Sequence, residues 1–162
     1  MNLKYSILFI FYFLINMSFA QSFAYKTLLK GVYDKDFPLV GIDDNEILEN
    51  AVFLDAREKE EFDVSHIKGA KWIGYETFSL KAVKSIPKDQ KIVVYCSIGA
   101  RSQEVGKKLK EAGYKDVYNL YGGIFHWVNE DKPVYNNGEK TESVHAYSRS
   151  WGVWLKKGEK VY

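Results

Sequence analysis

Thiols are almost missing from this chain: Cys96 is the one cysteine in 162 residues. A single cysteine cannot close an intramolecular disulfide, so the fold has no covalent staple. Prolines number three, and histidines also three: His66, His126 and His145. Three scattered histidines and one cysteine do not give metal-ligand spacing, so no metal and no other cofactor is expected. Charge of one sign is missing too, with 23 Lys and Arg against 21 Asp and Glu, a formal net of +2. That balance offers no basic surface for nucleic acid, and no like-charge block marks a disordered tail. Internal repeats and low-complexity segments are also absent. What is abundant is aromatic: Phe, Tyr and Trp make up 16% of the chain. The length suits one domain with a modest core.

The first residues read as an export signal. Lys4 supplies the positive start, Ile7 to Ile15 the apolar run, and Ser18-Phe19-Ala20 the small residues at a cleavage site. The cut is expected between Ala20 and Gln21, so residues 1–20 are a signal peptide. The apolar run is short for a span, which needs roughly 20 residues. No stable membrane insertion is expected after cleavage, and the mature chain is periplasmic or secreted. The alternative is an uncleaved anchor. No cysteine near the cut offers a lipid attachment point.

Residues 21–42 read as an aromatic-rich lead-in. Asp43 or Asp44 caps a short helix running through Asn50. Val52 to Asp55 reads as a strand, Glu58 to Phe62 as a helical turn, and Lys71 to Ile73 as a strand. Phe78 to Ser85 reads as helical, stopped before Pro87. Lys91 to Tyr95 is β-branched and apolar throughout its centre, the pattern of a buried strand. Ser102 to Ala112 reads as a helix with Val105 and Leu109 on one face and Gly113 just past its end. Asp116 to Leu120 reads as a strand and Ile124 to Asn129 as a helix. Strands alternating with helices predict an α/β fold in three layers, a central parallel sheet flanked by helices on both faces. Ligands of such sheets bind beyond the carboxyl ends of the strands.

Cys96 follows the strand ending at Tyr95 and opens the run Cys96-Ser97-Ile98-Gly99-Ala100-Arg101-Ser102. A thiol facing a glycine-containing loop that opens a helix meets backbone N–H groups and the positive end of a helix dipole. Those surroundings favour the nucleophilic thiolate. The alternative is a buried structural cysteine.

This loop resembles the active-site loop of the rhodaneses, which are sulfurtransferases. Phe53-Leu54-Asp55-Ala56-Arg57-Glu58, Glu61-Phe62 and His66-Ile67-Lys68-Gly69-Ala70 resemble the first rhodanese signature. Gly113-Tyr114, Val117, Leu120, Gly122-Gly123, Trp127 and Pro133-Val134 resemble the end of the domain. The three blocks stand in the family's order and place the domain at 43–135. The resemblance implies a rhodanese-like fold and a two-step reaction. The Cys96 thiolate takes the outer sulfur of a small donor such as thiosulfate, and a thiol or cyanide-like acceptor, or a protein sulfur acceptor, removes it from the resulting persulfide. Cys96 and Arg101 are then the catalytic residues. Ser97, Ile98, Gly99, Ala100 and Ser102 form the anion loop, with Gly99 free to turn inward without a Cβ. Arg101 is expected on the donor's sulfonate or on loop carbonyls. Ser102 is expected to cap the helix. Asp55 and Arg57 are supporting residues, read as an ion pair bracing the site, and the three histidines as structural.

Related phosphatases and arsenate reductases have one residue more between the cysteine and the arginine. The four here, Ser97 to Ala100, fit the sulfur-transfer type. A sulfur-carrier or binding module is the other rival, although such modules commonly lose the cysteine. A redox partner would need a second, resolving cysteine. Residues 136–162 form an extension: a turn at Asn136-Asn137-Gly138, an extended Ser143 to Tyr147, then a short helix capped by Ser148 or Ser150 and closed by Gly158. Its Tyr147, Trp151, Trp154 and Leu155 are expected to pack on the domain, the alternative being a lid or partner surface.

Overall fold

The computed structural model describes residues 23–162. The expected signal segment, residues 1–20, lies outside them. The described residues divide into a helix, α1, over 23–32, and a second unit from Tyr33 to Tyr162. No described helix is long and apolar enough to cross a membrane.

Five parallel strands form the sheet: β1 (Leu39–Val40), β2 (Val52–Asp55), β3 (Lys71–Trp72), β4 (Ile92–Tyr95) and β5 (Val117–Leu120), in the order β1-β5-β4-β2-β3. Strand β4 sits at the centre, where all four of its side chains are buried and the hydroxyl of Tyr95 accepts from the amide of Ile67. Its alternate residues serve opposite faces. Ile92 and Val94 join a core with Leu54, Val83, Ile86, Val105 and Leu109. On the other face the ring of Phe53 meets Trp127 edge-on, 6.1 Å between centroids. The helices are α2 (Asn45–Leu48), α3 (Lys59–Val64), α4 (Ala100–Glu111) and α5 (Gly123–Asn129). The expected α/β class and its central parallel sheet are therefore what the chain forms.

Several elements differ in detail. Helix α2 ends at Leu48 rather than Asn50, and Asp44 at its cap position makes no side-chain capping bond. The segment before Pro87 is only a 3-10 turn, Leu80–Val83, capped by Ser79. Helix α4 begins at Ala100, ahead of the expected Ser102, since Gly99 takes φ +109° at its cap position and turns the chain directly into the helix. Ser102 is thus no cap: it is a buried residue of the first turn. Strand β1 was not expected, being two residues long between Pro38 and Gly41.

The extension folds into the same unit as the sheet. Asn137 and Gly138, both at positive φ, close a two-residue hairpin between β6 (Val134–Asn136) and β7 (Glu139–Thr141). Strands β8 (Ser143–His145) and β9 (Glu159–Val161) pair in parallel around a 3-10 turn, Gly152–Trp154. Val144, Ala146 and Leu155 are fully buried, and Trp151 and Trp154 half-buried. Tyr147 is the exception to the packing expected of it, remaining 50% exposed. The side chain of Asn129 ties α5 to the extension, donating to the Trp154 carbonyl and accepting from the amides of Lys156 and Lys157.

Burying Val144 and Leu155 is worth about 1.5–3 kcal/mol each, against a total stability of roughly 5–15 kcal/mol. Deleting residues 137–162 should therefore lower the melting temperature by about 10 °C or more. Differential scanning calorimetry of the two chains checks this, and equal melting temperatures would show that the extension contributes no packing.

Candidate active site

Cys96 leaves the end of β4 at the carboxyl edge of the sheet and is 1% exposed. The amide of Gly99 points back at it and donates to Sγ at 3.1 Å. The Ile98 carbonyl of that same peptide must then face away from the sulfur, and each of the four carbonyls from Cys96 to Gly99 has a donor outside the loop. Ile124 N–H donates to Cys96 O at 2.9 Å, and Phe125 N–H to Ser97 O at 3.1 Å. Tyr33 Oη donates to Ile98 O at 2.6 Å. Asn119 Nδ2 donates to Gly99 O at 2.9 Å. The helical ladder of α4 begins with Gln103 N–H on Gly99 O. The amides of Ala100, Arg101 and Ser102 thus have no intrahelical acceptor, and their dipoles lie at the loop.

Two glycines make these approaches possible. A Cβ on Gly123 would collide with the Cys96 carbonyl oxygen and lie 2.7 Å from the Ser97 carbonyl carbon. A Cβ on Gly99 would collide with the Tyr33 ring, and φ +109° strains any side-chain-bearing residue there.

The charges around the loop are paired. Arg101, 17% exposed, lays its fork on Glu61 of α3, with Nη1 on Oε2 at 2.7 Å and Nη2 on Oε1 at 2.9 Å. Ser97 Oγ, 6% exposed as a residue, donates to the same carboxylate at 2.9 Å and accepts from Arg101 Nη2 at 3.0 Å. Glu61 also closes the capping box of α3, accepting from the amide of Glu58. Burial alone would raise the Glu61 carboxyl, but the hydrogen bonds and charge of Arg101, helped by Arg57 and the Glu58 amide, hold it below the usual carboxylate range. For Arg101, burial pulls downward, and Glu61 together with the neighbouring Cys96 raises it above the ordinary arginine value. Loop carbonyls, one of the two expected partners of Arg101, are not what it binds.

Beneath this lies a second pair. Arg57 and Asp55 are both fully buried, with Nη2 on Oδ2 at 2.6 Å and Nε on Oδ1 at 3.0 Å. Arg57 Nη2 also donates to the Ser65 carbonyl. Asp55 and Arg57 thus form the ion pair expected of them. Ser102 Oγ donates to Asn119 Oδ1 at 2.7 Å, which orients the amide that holds Gly99. Ile98 is buried, and Ala100 is exposed at the first residue of α4. His66 exchanges backbone bonds with Tyr135 and stacks on Phe62, its Nδ1 3.1 Å from the Phe62 carbonyl. His126 lies edge-on to Tyr121, and His145 Nδ1 accepts from the amide of Tyr147. Among the described residues no group of three or more His, Cys, Asp or Glu is placed to hold a metal ion.

Three residues given no role from sequence thus belong to the site. Glu61 carried a signal, an acid three residues after Glu58 at a helix start. Asn119 is the lone polar residue of an otherwise apolar and aromatic strand. Tyr33 carried none, since it meets Ile98 across 65 positions. Burial, countered by the Gly122 amide that it accepts, raises the Tyr33 phenol well above its ordinary value, with Cys96 adding to the rise. Its hydroxyl stays protonated as a donor.

The chain belongs to the family of the rhodanese-like domain, whose family model matches residues 41–130. It is similar to a probable adenylyltransferase/sulfurtransferase, MoeZ, of Mycobacterium tuberculosis: 36% identical over 81 residues, 49% of this chain and 21% of that protein. It is also similar to a tRNA uridine(34) hydroxylase of Listeria welshimeri, 38% identical over 81 residues, 47% of this chain and 25% of that one. The chain thus spans a quarter or less of these relatives' length. Among solved structures, a rhodanese-related protein of Thermoplasma volcanium superposes with a TM-score of 0.54 at 27% identity, covering 61% of this chain and 98% of that one. A Bacillus halodurans protein shares the fold at a TM-score of 0.56 and 24% identity, covering 72% and 87%.

Because the folded Glu61 carboxyl titrates below its unfolded value, its stabilising contribution is fully present above the unfolded value of about 4.3. It is lost as pH falls through the folded value. Glu61→Gln should cost about 2 kcal/mol at pH 7, less than a fully buried pair because Arg101 keeps some contact with water. Urea unfolding of both proteins checks this, and the gap should narrow steadily below about pH 4. A gap independent of pH would mean that the carboxylate charge is not what holds α3 to the loop. Gly99→Ala should cost about 1–3 kcal/mol through backbone strain and slow alkylation of Cys96 by iodoacetamide. An unchanged alkylation rate would show that the loop tolerates a side chain there.

Proposed function

We propose that this protein is a sulfurtransferase that carries sulfane sulfur as a persulfide on Cys96. The observation that carries the reading is the Gly99 amide aimed at Cys96 Sγ at 3.1 Å, at the head of a helix whose first amides have no intrahelical acceptor. A persulfide carries negative charge on its outer sulfur, and fixed amide dipoles are what such a charge gains from. In the loading step the Cys96 thiolate attacks the outer sulfur of a donor such as thiosulfate. A bond forms from Sγ to that sulfur, the donor's S–S bond breaks, and the electron pair leaves with sulfite. In the second step a thiophilic acceptor, cyanide or a thiol, bonds to the outer sulfur, and the pair of the breaking S–S bond returns to Sγ. No general base is needed when the thiolate is already present, and catalysis is positioning and electrostatics. Arg101 and Ser97, joined through Glu61, hold the loop's shape beside the reacting sulfur. The name of the mycobacterial relative, a probable sulfurtransferase, points the same way.

Thiosulfate is the donor proposed for assay, and a small thiol or a protein thiol the acceptor. The charged start, apolar run and small residues of 1–20 support export, with sulfur transfer taking place outside the cytoplasm.

The purified chain should form thiocyanate from thiosulfate and cyanide, and Cys96→Ser should lose at least about 1000-fold in rate while unfolding at the same temperature, because its hydroxyl is not ionised near neutrality. Colorimetric thiocyanate detection checks this. Activity retained by the folded serine variant would refute the assignment.

A further inference from the structure

We propose that Tyr147 of the C-terminal extension determines which sulfur acceptor the site prefers, favouring thiols that present a flat apolar surface. The inference rests on the sulfur-transfer reading of Cys96. Its starting point is the backbone. Among the described residues, three that are not glycine have positive φ: Asp131, Asn137 and Tyr147, the last at +63°. Asp and Asn tolerate that conformation, whereas a bulky side chain is strained in it. Burial of the ring does not offset the strain, since Tyr147 is 50% exposed. The turn is instead forced by its surroundings. Ala146, fully buried, donates to the Val161 carbonyl at 2.8 Å. Ser148 N–H returns to the Ala146 carbonyl at 2.8 Å, and Tyr147 N–H to His145 Nδ1 at 3.1 Å. Glycine would satisfy every one of these bonds without strain.

What the tyrosine adds is a ring over the site. Its centroid lies 4.9 Å from the Arg101 guanidinium carbon. The edge of that guanidinium is occupied by Glu61 and Ser97, so the ring covers a face of it. Tyr33 lies against Gly99 and Ile98 of the same loop. The Cys96 loop is therefore bordered by one tyrosine at Gly99 and another at Arg101. An acceptor reaching the persulfide meets a half-exposed aromatic surface, and Arg101, already paired and covered, offers little to an anionic one. A strained residue whose ring faces the site instead of the core is the pattern expected of a functional position. In the step affected, the acceptor sulfur bonds to the outer sulfur and the S–S bond to Cys96 breaks. The electron pair returns to Sγ, and the outer sulfur leaves with its negative charge on the acceptor thiolate, which becomes the new persulfide.

The test separates loading from discharge. Wild type, Tyr147→Ala, Tyr147→Phe and Tyr147→Gly are loaded with thiosulfate, freed of donor, and followed by intact mass during discharge to cyanide, benzyl mercaptan and mercaptosuccinate. Tyr147→Ala and Tyr147→Gly should discharge to benzyl mercaptan about 10-fold more slowly, with cyanide changed less than about twofold, and Tyr147→Phe should keep the wild-type preference. Tyr147→Gly should also melt higher than Tyr147→Ala, since both lose the ring but only glycine adopts the positive φ without strain. An acceptor profile identical to wild type in Tyr147→Ala, or a uniform fall that includes cyanide, would overturn the inference while leaving the persulfide intact. Failure of wild type to load any sulfur would instead overturn the sulfur-transfer reading, and this inference with it.

Discussion

Four successive carbonyls, Cys96 to Gly99, are each held by a donor from outside the loop, and the rest of the site depends on that constraint. A peptide group whose oxygen is fixed outward must direct its N–H the other way, since the two are rigidly opposed. The donors come from separate parts of the chain: the start of α5, the phenol of Tyr33, the amide of Asn119 on β5, and Gln103 within α4. Loss of any one frees a carbonyl to turn toward the sulfur and place negative potential where the proposed chemistry needs positive. Gly123 is the most constrained member, because α5 must approach the loop backbone more closely than a side chain allows.

The ion pairs give this loop its rigidity. Glu61 joins three things that would otherwise move independently: the start of α3, the Ser97 hydroxyl and the Arg101 guanidinium. Removing one member leaves the others buried and unpaired, which makes the cluster cooperative. Asp55 and Arg57 do the same one layer deeper, fixing the end of β2 against the Ser65 carbonyl. Arg101 sits at a helix start, where the dipole disfavours a cation. Its position follows from the carboxylate of Glu61, which neutralises it.

The parts of this arrangement that were legible in the sequence are those fixed locally. Strand β4 was visible because a run of β-branched apolar residues can only be buried. Helix α4 was visible through Val105, Leu109 and Gly113, and the thiol loop through a cysteine followed by Gly99 and Arg101. The start of α4 lies ahead of Ser102, which resembles a cap, because the glycine geometry at Gly99 dispenses with one. Strands β1, β6, β7 and β9 carry two or three residues each, too few for an alternating pattern. Tyr33 and Asn119 escaped notice for a different reason. Their roles exist only once the chain brings positions 33, 98, 119 and 122 together, and no local spacing encodes that.

The proposed function requires that the loop with its outward carbonyls make a place for an anionic sulfur beside Cys96. Intact mass of the folded protein after thiosulfate, with the modified peptide sequenced, measures that most directly when wild type is compared with Tyr33→Phe. Wild type should gain the mass of one sulfur atom on the Cys96 peptide, removable by cyanide. Tyr33→Phe, with the Ile98 carbonyl released, should hold a clearly smaller fraction. An unchanged wild-type mass, or equal loading in the two proteins, would contradict the account.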